Sequence, residues 1–282
     1  MRMKVLAEIG KISSVITSLK SSDKRIGFVP TMGALHEGHL SLIRASRASN
    51  DVTVVSIFVN PTQFDKKEDF LKYPKSLDKD LELLKQAGCD LVFTPASKNL
   101  YPEDAVSAAF DFGGIEKEME GKFRDNHFNG VATIVKKLFE IVQPNNAYFG
   151  EKDFQQLQII KNLATQLGLP TEVHGCPIYR EKDGLAMSSR NVRLTPLQRD
   201  AAPFVYKILR EVKIRFENHT VLETKDWVAQ QFQTHPLLDL EYFEITDEET
   251  LQSASSKNTN QKQRAFIAVF ADAIRLIDNM PL

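Results

Sequence analysis

The sequence predicts an α/β fold, a doubly wound parallel sheet followed by a smaller α+β part. Three observations predict it. Short apolar stretches alternate with amphipathic ones from residue 5 to about 178, the pattern of βαβ units joined by right-handed crossovers. One apolar stretch, "VTVVSIFV" (52–59), is β-branched and continuous, as expected of a central parallel strand covered on both faces. After "MSSRNVRLTPLQRD" (187–200) the alternation stops.

In chain order, Leu6, Ile9, Ile12, Ile16 and Leu19 share one helical face, so Val5 to Leu19 is expected to be a helix. "RIGFVP" (25–30) is expected to be a buried strand ended by Pro30, and His39 to Ala48 a helix. After the 52–59 strand, Leu77 to Ala87 is helical and stopped by Gly88, and "DLVFTP" (90–95) is a strand. Phe128 to Val142 is a helix, "NAYFG" (146–150) a strand, Phe154 to Leu167 a helix ended by Gly168, and "TEVHGCPIY" (171–179) the closing strand. Beyond it, Pro196 to Phe216 and Glu223 to Gln233 carry helical patterns. "LEYFEIT" (240–246) and "RAFIAVFADAIRLID" (264–278) look like strands joined by the polar "SASSKNTNQKQ". The boundary is expected near Tyr179, dividing the chain into domains 1–178 and 179–282.

Composition narrows the function. The 282 residues are 42% hydrophobic and 26% charged, with a net charge of −1, which leaves no broad basic footprint for nucleic acid. No apolar run is long enough to cross a bilayer, and the N-terminal stretch has no signal-peptide core. The only cysteines, Cys89 and Cys176, have neither disulfide nor zinc-knuckle spacing and suit a reducing compartment. A cytoplasmic protein is expected.

Three polar stretches, "PTMGALHEGH" (30–39), "NPTQF" (60–64) and "GEKDFQQ" (150–156), each follow a predicted strand. A doubly wound sheet brings such stretches together at its carboxyl edge, where ligands bind. His36 and His39 lie three apart in "HEGH"; this is one residue short of the i, i+4 spacing of HExxH, and no third ligand stands near, so no metal site is assigned. Two readings remain for the pair. In one, Gly33 permits a tight turn, Gly38 leaves room beside a phosphate, and the helix start with two imidazoles binds the anion. In the other, the stretch is a capped helix start with one buried, satisfied histidine.

Lys152 opposes the dipole of the helix it begins, which is tolerable if an anion sits between them, whereas Asp153 has an ordinary explanation as an N-cap. "REKDGLAMSSRN" (180–191) is either a flexible segment that grips phosphate with Ser188, Ser189 and Arg190 or a solvated linker. Gln63 and Gln156 offer uncharged donors and acceptors suited to a small hydroxylated acid.

Taken together, these stretches resemble the pantoate–β-alanine ligase (pantothenate synthetase) family. The likeness also runs through "VVSIFVNPTQF", "YPKSLDKDLELL", "HFNGVATIVKKLF", "VQPNNAYFGEKDFQQLQIIKNL", "KDGLAMSSRNVRLT" and the closing "RLIDN", and covers nearly the whole chain. The resemblance implies a Rossmann-like N-terminal domain of the H-x-G-H nucleotidyltransferase type, a C-terminal lid domain and a homodimer. It implies ATP as substrate with Mg²⁺, and pantoate and β-alanine as partners, joined through a pantoyl adenylate.

Carried over position by position, Met32, Gly33, Ala34, Leu35, His36, Glu37, Gly38 and His39 line the ATP site, with His39 the catalytic proton donor. Gly150, Glu151, Lys152, Asp153, Tyr179, Met187, Ser188, Ser189 and Arg190 hold the nucleotide. Pro30, Thr31, Gln63 and Gln156 meet pantoate, and His36, Lys152 and Arg190 join His39 in catalysis. Arg124 and His127 match positions near the site. "RDNHFNGV" departs from the family at Asn126 and Asn129, where glycine and arginine are usual. A nucleotidyltransferase that keeps the nucleotide on its product, or a module that only binds it, would share the phosphate machinery. The glutamine pair and the C-terminal part speak against the first, and Lys152 with Ser188, Ser189 and Arg190 against the second.

Overall fold

The computed structural model describes all residues except 1, 2, 66, 102, 104, 105 and 259, so Met1, Arg2 and Thr259 of the stretches read above lie outside it. Six parallel strands form the first sheet: β1 (Lys4–Leu6), β2 (Ile26–Thr31), β3 (Val52–Ile57), β4 (Leu91–Phe93), β5 (Asn146–Gly150) and β6 (Glu172–Cys176), in the order β1-β4-β3-β2-β5-β6. Interleaved are α1 (Ile9–Ser21), α2 (Glu37–Ser49), α3 (Lys67–Lys72), α4 (Leu77–Gln86), α5 (Ser97–Leu100), α6 (Glu120–Phe123), α7 (His127–Val142) and α8 (Phe154–Gln166). Then come α9 (Pro196–Ala201), α10 (Phe204–Phe216), α11 (Val221–Gln233) and a three-stranded antiparallel sheet of β7 (Asp239–Asp247), β8 (Gln263–Ala271) and β9 (Ile274–Pro281).

Strand residues alternate between two cores because successive side chains point to opposite faces. Phe28, Val54, Leu91 and Phe93 pack with α1, α7 and α8, while Val29, Val55 and Val92 pack with α2 and α4. A third core, from Leu185 onward, joins α10 and α11 to the antiparallel sheet. The parallel sheet's direction of growth reverses at β2. The chain runs β2, β3, β4 to one side and returns to place β5 on the other, leaving a crevice beyond the carboxyl ends of β2 and β5.

Four expectations need correction. Val5 and Leu6 are not helical; they pair with Val92 and Phe93 in β1, and the helix starts at Ile9. Sheet-edge hydrogen bonds at Lys4 and Thr94 outweigh a local pattern that fits either structure. Pro30 does not end its strand but pairs with Ser56 inside it; the β5 ladder stops at Phe28, so proline sits where β2 has a partner on one side only. The long helix after Pro196 is two helices, α9 and α10, divided at Ala202–Pro203, since Pro203 lacks the N–H that would continue the first. The 264–278 stretch is two strands turned at Asp272, which adopts φ +55°.

Candidate active site

The crevice is a cleft of about 240 Å³. β2 runs into a tight turn: Gly33 has φ +80° and Ala34 φ +50°. Asp80 of α4, 1% exposed, fastens that turn by accepting the Ala34 and Leu35 N–H groups, both at 2.9 Å. Those amides are therefore spent within the protein and cannot meet a phosphate.

His36 is the N-cap of α2, and the cap is reciprocal. The His36 Nδ1 accepts the Gly38 N–H at 3.2 Å, and the His39 Nδ1 accepts the His36 N–H at 3.3 Å. The sequence left a phosphate site and a capped helix start as alternatives, and the geometry shows the cap, with both rings lining the cleft. A ring nitrogen that accepts from the backbone is unprotonated, so in each neutral imidazole the proton is on Nε2. The rings lie 4.1 Å apart between centroids, and both line the cleft.

Burial, followed by the charge of Lys152, lowers His36 to about 4; burial, then His36 and Lys152, lowers His39 to about 3. Both are neutral donors at pH 7 in this cleft, not cations. Gly38 serves this cap more than it serves a ligand, because a Cβ there would meet the His36 ring at 2.9 Å.

Lys152 lies on a 3₁₀ turn, Glu151–Asp153, between β5 and α8. Its ammonium is 3.8 Å from Asp153, which occupies the expected N-cap position of α8 without making a side-chain capping bond. Gln63 follows β3. Its Oε1 accepts from Asn60 at 3.1 Å and its Nε2 faces Met32 Sδ at 2.9 Å, so the carbonyl is committed and the amide N–H groups are what it offers a ligand.

Behind Gln63, its backbone carbonyl accepts from His127 Nδ1 at 2.8 Å and Arg124 Nη2 at 3.3 Å. Burial and then Arg124 hold His127 at about 3. Arg124 in turn lies 3.6 Å from Glu120, which Arg275 and Tyr242 of the antiparallel sheet also grip. Burial would push Glu120 up, but the hydrogen bonds and charge of Arg275 hold it at about 2.

The 180–191 stretch is no free linker. Arg180 bridges Ala186, Glu181 N–H donates to the Leu185 carbonyl, and Arg199 clasps Glu181 and Asp183. It leans on the turn after β2 through Ser189, whose hydroxyl donates to the Ala34 carbonyl at 3.1 Å. Arg190 is already engaged: with Arg193 it donates to Asp69 of α3, at 2.7 and 2.8 Å. A phosphate must compete with Asp69 for it.

Of the expected residues, Pro30, Thr31, Met32, His36, Gly38, His39, Gln63, Gly150, Lys152, Asp153, Gln156, Tyr179 and Met187 to Arg190 line this one cleft, as do Arg124 and His127. Gly33, Ala34, Leu35, Glu37 and Glu151 do not. Glu37 faces outward to Arg44 at 3.0 Å, and Glu151 lies 3.8 Å from Arg264. Sequence reasoning missed Asp80, Tyr73 and the side chain of Asn60, which is 1% exposed and takes the Tyr101 hydroxyl while donating to the Gly130 carbonyl.

The departure at Asn126 has a backbone reason: it sits at φ +59°, a left-handed conformation natural to glycine and tolerated by asparagine. Asn129 accepts the Phe110 N–H and donates to Asn126. Among the described residues, no three His, Cys, Asp or Glu side chains gather to hold a metal, and no helix is long and apolar enough to cross a membrane.

Comparison with known proteins agrees along the whole chain. The family profile described as Pantoate-beta-alanine ligase matches residues 4–281. The pantothenate synthetase of Christiangramia forsetii is 51% identical, covering 99% of each chain, and that of Bacteroides thetaiotaomicron is 47% identical, covering 99% of this chain and 98% of the other. The crystal structure of pantothenate synthetase from Thermus thermophilus superposes with a TM-score of 0.91 at 39% identity over 99% of each chain. That of the Francisella tularensis enzyme complexed with β,γ-ATP and β-alanine gives 0.82 at 37% identity, over 99% of this chain and 97% of the other.

Proposed function

The chain belongs to the pantoate–β-alanine ligase family and catalyses the ATP-dependent, AMP-forming ligation of pantoate and β-alanine to pantothenate; from that premise we propose how the cleft works. A carboxylate oxygen is a poor leaving group. Pantoate therefore attacks the α-phosphorus of ATP, pyrophosphate leaves, and a pantoyl adenylate forms. The amine of β-alanine then attacks the activated carbonyl and AMP departs.

The observation that carries this reading is the imidazole pair with Nε2–H fixed by a helix cap, sharing one cleft with Lys152 and Gln63. The fixed Nε2–H groups of His36 and His39 donate to phosphoryl oxygens as charge moves onto the leaving pyrophosphate. Preorganised donors need no reorientation in the transition state. His39 acts in the step as a neutral hydrogen-bond donor that keeps its proton on Nε2, because protonating Nδ1 would break the bond it accepts from the His36 N–H. Lys152 supplies fixed positive charge, and Arg190 joins it on leaving Asp69. Met187 to Ser189, Gly150, Asp153 and the Tyr179 backbone hold the nucleotide. The N–H groups of Gln63, with Gln156, Pro30 and Thr31, receive pantoate.

Magnesium, entering with the triphosphate, would neutralise part of its charge beside Lys152. We further propose that residues 1–178 form a Rossmann-like domain of the H-x-G-H nucleotidyltransferase type, that residues 179–282 act as a lid which excludes water from the adenylate, and that the enzyme works as a cytoplasmic homodimer. The separate core beginning at Leu185 supports the division, and the buried, unpaired Cys89 and Cys176 suit the compartment.

Pyrophosphate exchange into ATP, with pantoate present and β-alanine omitted, isolates the first step. Replacing His39 by alanine is expected to slow it about 100- to 1000-fold. Turnover near that of the parent enzyme would remove His39 from the chemistry.

A further inference from the structure

The closing "RLIDN" motif lies on β9, outside the residues assigned to substrates, yet its last member reaches the lysine turn. Asn279 is 1% exposed. Its Nδ2 donates to two successive carbonyls of that turn, Glu151 at 2.8 Å and Lys152 at 2.9 Å. Both amide protons are thus used on the turn between β5 and α8. The amide cannot rotate to present its oxygen instead, because Oδ1 accepts from Arg264 Nη1. Arg264 is itself pinned: its Nε donates to Glu248 at 2.8 Å and its guanidinium lies 3.9 Å over the Phe154 ring, one residue beyond the turn. The preceding residue, Asp278, accepts two hydrogen bonds from Arg180 and one from the Asn279 N–H, which fixes the end of β9.

We propose that Asn279 is a positioning residue for adenylate formation: presented from the antiparallel sheet, its carboxamide fixes the Glu151–Lys152 backbone and so sets where the Lys152 ammonium meets the triphosphate. This rests on the reading that Lys152 meets the triphosphate. A turn with two unanchored carbonyls leaves the lysine backbone free to shift, and a misplacement of about 1 Å costs on the order of 100-fold in rate. The C-terminal sheet then contributes to the first chemical step without touching a substrate.

The test is a double-mutant cycle of Asn279→Ala and Lys152→Ala, read by pyrophosphate exchange and by thermal denaturation of each full-length enzyme. Asn279→Ala is expected to lower the exchange kcat about 10- to 100-fold, but less than about 2-fold when Lys152 is already alanine, because the two changes then remove one shared effect. A merely structural asparagine would lower the denaturation midpoint alike in both backgrounds and cost the same exchange factor in both; equal factors, or no loss from Asn279→Ala alone, overturn the proposal while leaving the lysine's role standing. Lys152→Ala with undiminished exchange would overturn both. Should Asn279→Ala fail to fold, Asn279→Asp keeps the volume and the Arg264 contact and replaces the donors to the turn by a carboxylate oxygen that faces the two carbonyls. It is expected to show the same Lys152-dependent loss, and parent-like exchange from it overturns the proposal.

Discussion

Acidification tests whether the cleft imidazoles are neutral donors. His36, His39 and His127 are held at about 4, 3 and 3, whereas in the unfolded chain each titrates near 6.5. Between those limits the unfolded state carries protons that the native state lacks, so stability falls as pH falls below about 6.5 and the decline ends only once the native values are passed. Each histidine contributes about 1.4 kcal/mol per pH unit inside the window, so the three together give a slope of about 4 kcal/mol per unit. From about pH 7 to about pH 5 the loss integrates to about 6 kcal/mol, a large part of a domain's stability. Urea denaturation at half-unit steps of pH measures the slope, and His39→Gln is expected to reduce it by about one proton's worth. A slope of one proton or less for the parent protein would mean that the imidazoles are already charged in the native cleft. The account of fixed, neutral Nε2–H donors would then be wrong.

Other outcomes follow from single contacts. Gln63→Ala is expected to raise the KM for pantoate about tenfold, the worth of one hydrogen bond to a charged group, and unchanged pantoate kinetics would take Gln63 out of the site. Asp80→Asn leaves one of the Ala34 and Leu35 N–H groups without its acceptor; a loss of about 1–3 kcal/mol is expected in urea denaturation, with a raised KM for ATP. At Asn126, alanine is expected to cost about 1–2 kcal/mol at φ +59°, whereas glycine stays within about 0.5 kcal/mol of the parent; equal effects in denaturation would refute the backbone explanation.

The parallel sheet was legible because its central strands are apolar on both faces and its helices carry a 3.6-residue period, signals that survive without long-range information. "NAYFG" coincides with β5 residue for residue. Val5 and Leu6 were not legible, since only their pairing with β4, some 87 residues on in register from Val5 to Val92, makes them a strand. Strand-following polar stretches placed Lys152, Gln63 and the histidine pair on one crevice, because topology carries strand ends to a common edge. Asp80 could not be found in that way. Its partners are 45 and 46 residues distant, and a carboxylate in an amphipathic helix ordinarily marks the solvated face. Arg190 was legible as a site residue but not as one already held by Asp69, which depends on the short helix α3 that no pattern announced.

The reciprocal cap at the start of α2 ties two obligations to the same two rings, one through each Nδ1 and the other through each Nε2–H. Serine, threonine or aspartate would terminate that helix as well as histidine does, yet none reaches across the cleft with a ring proton on its far side. Lysine would reach, but has no lone pair for the backbone. On the proposed mechanism the helix therefore cannot be repaired by the ordinary exchanges among capping residues without disarming the enzyme, and an engineer seeking greater thermal tolerance must look elsewhere along the chain.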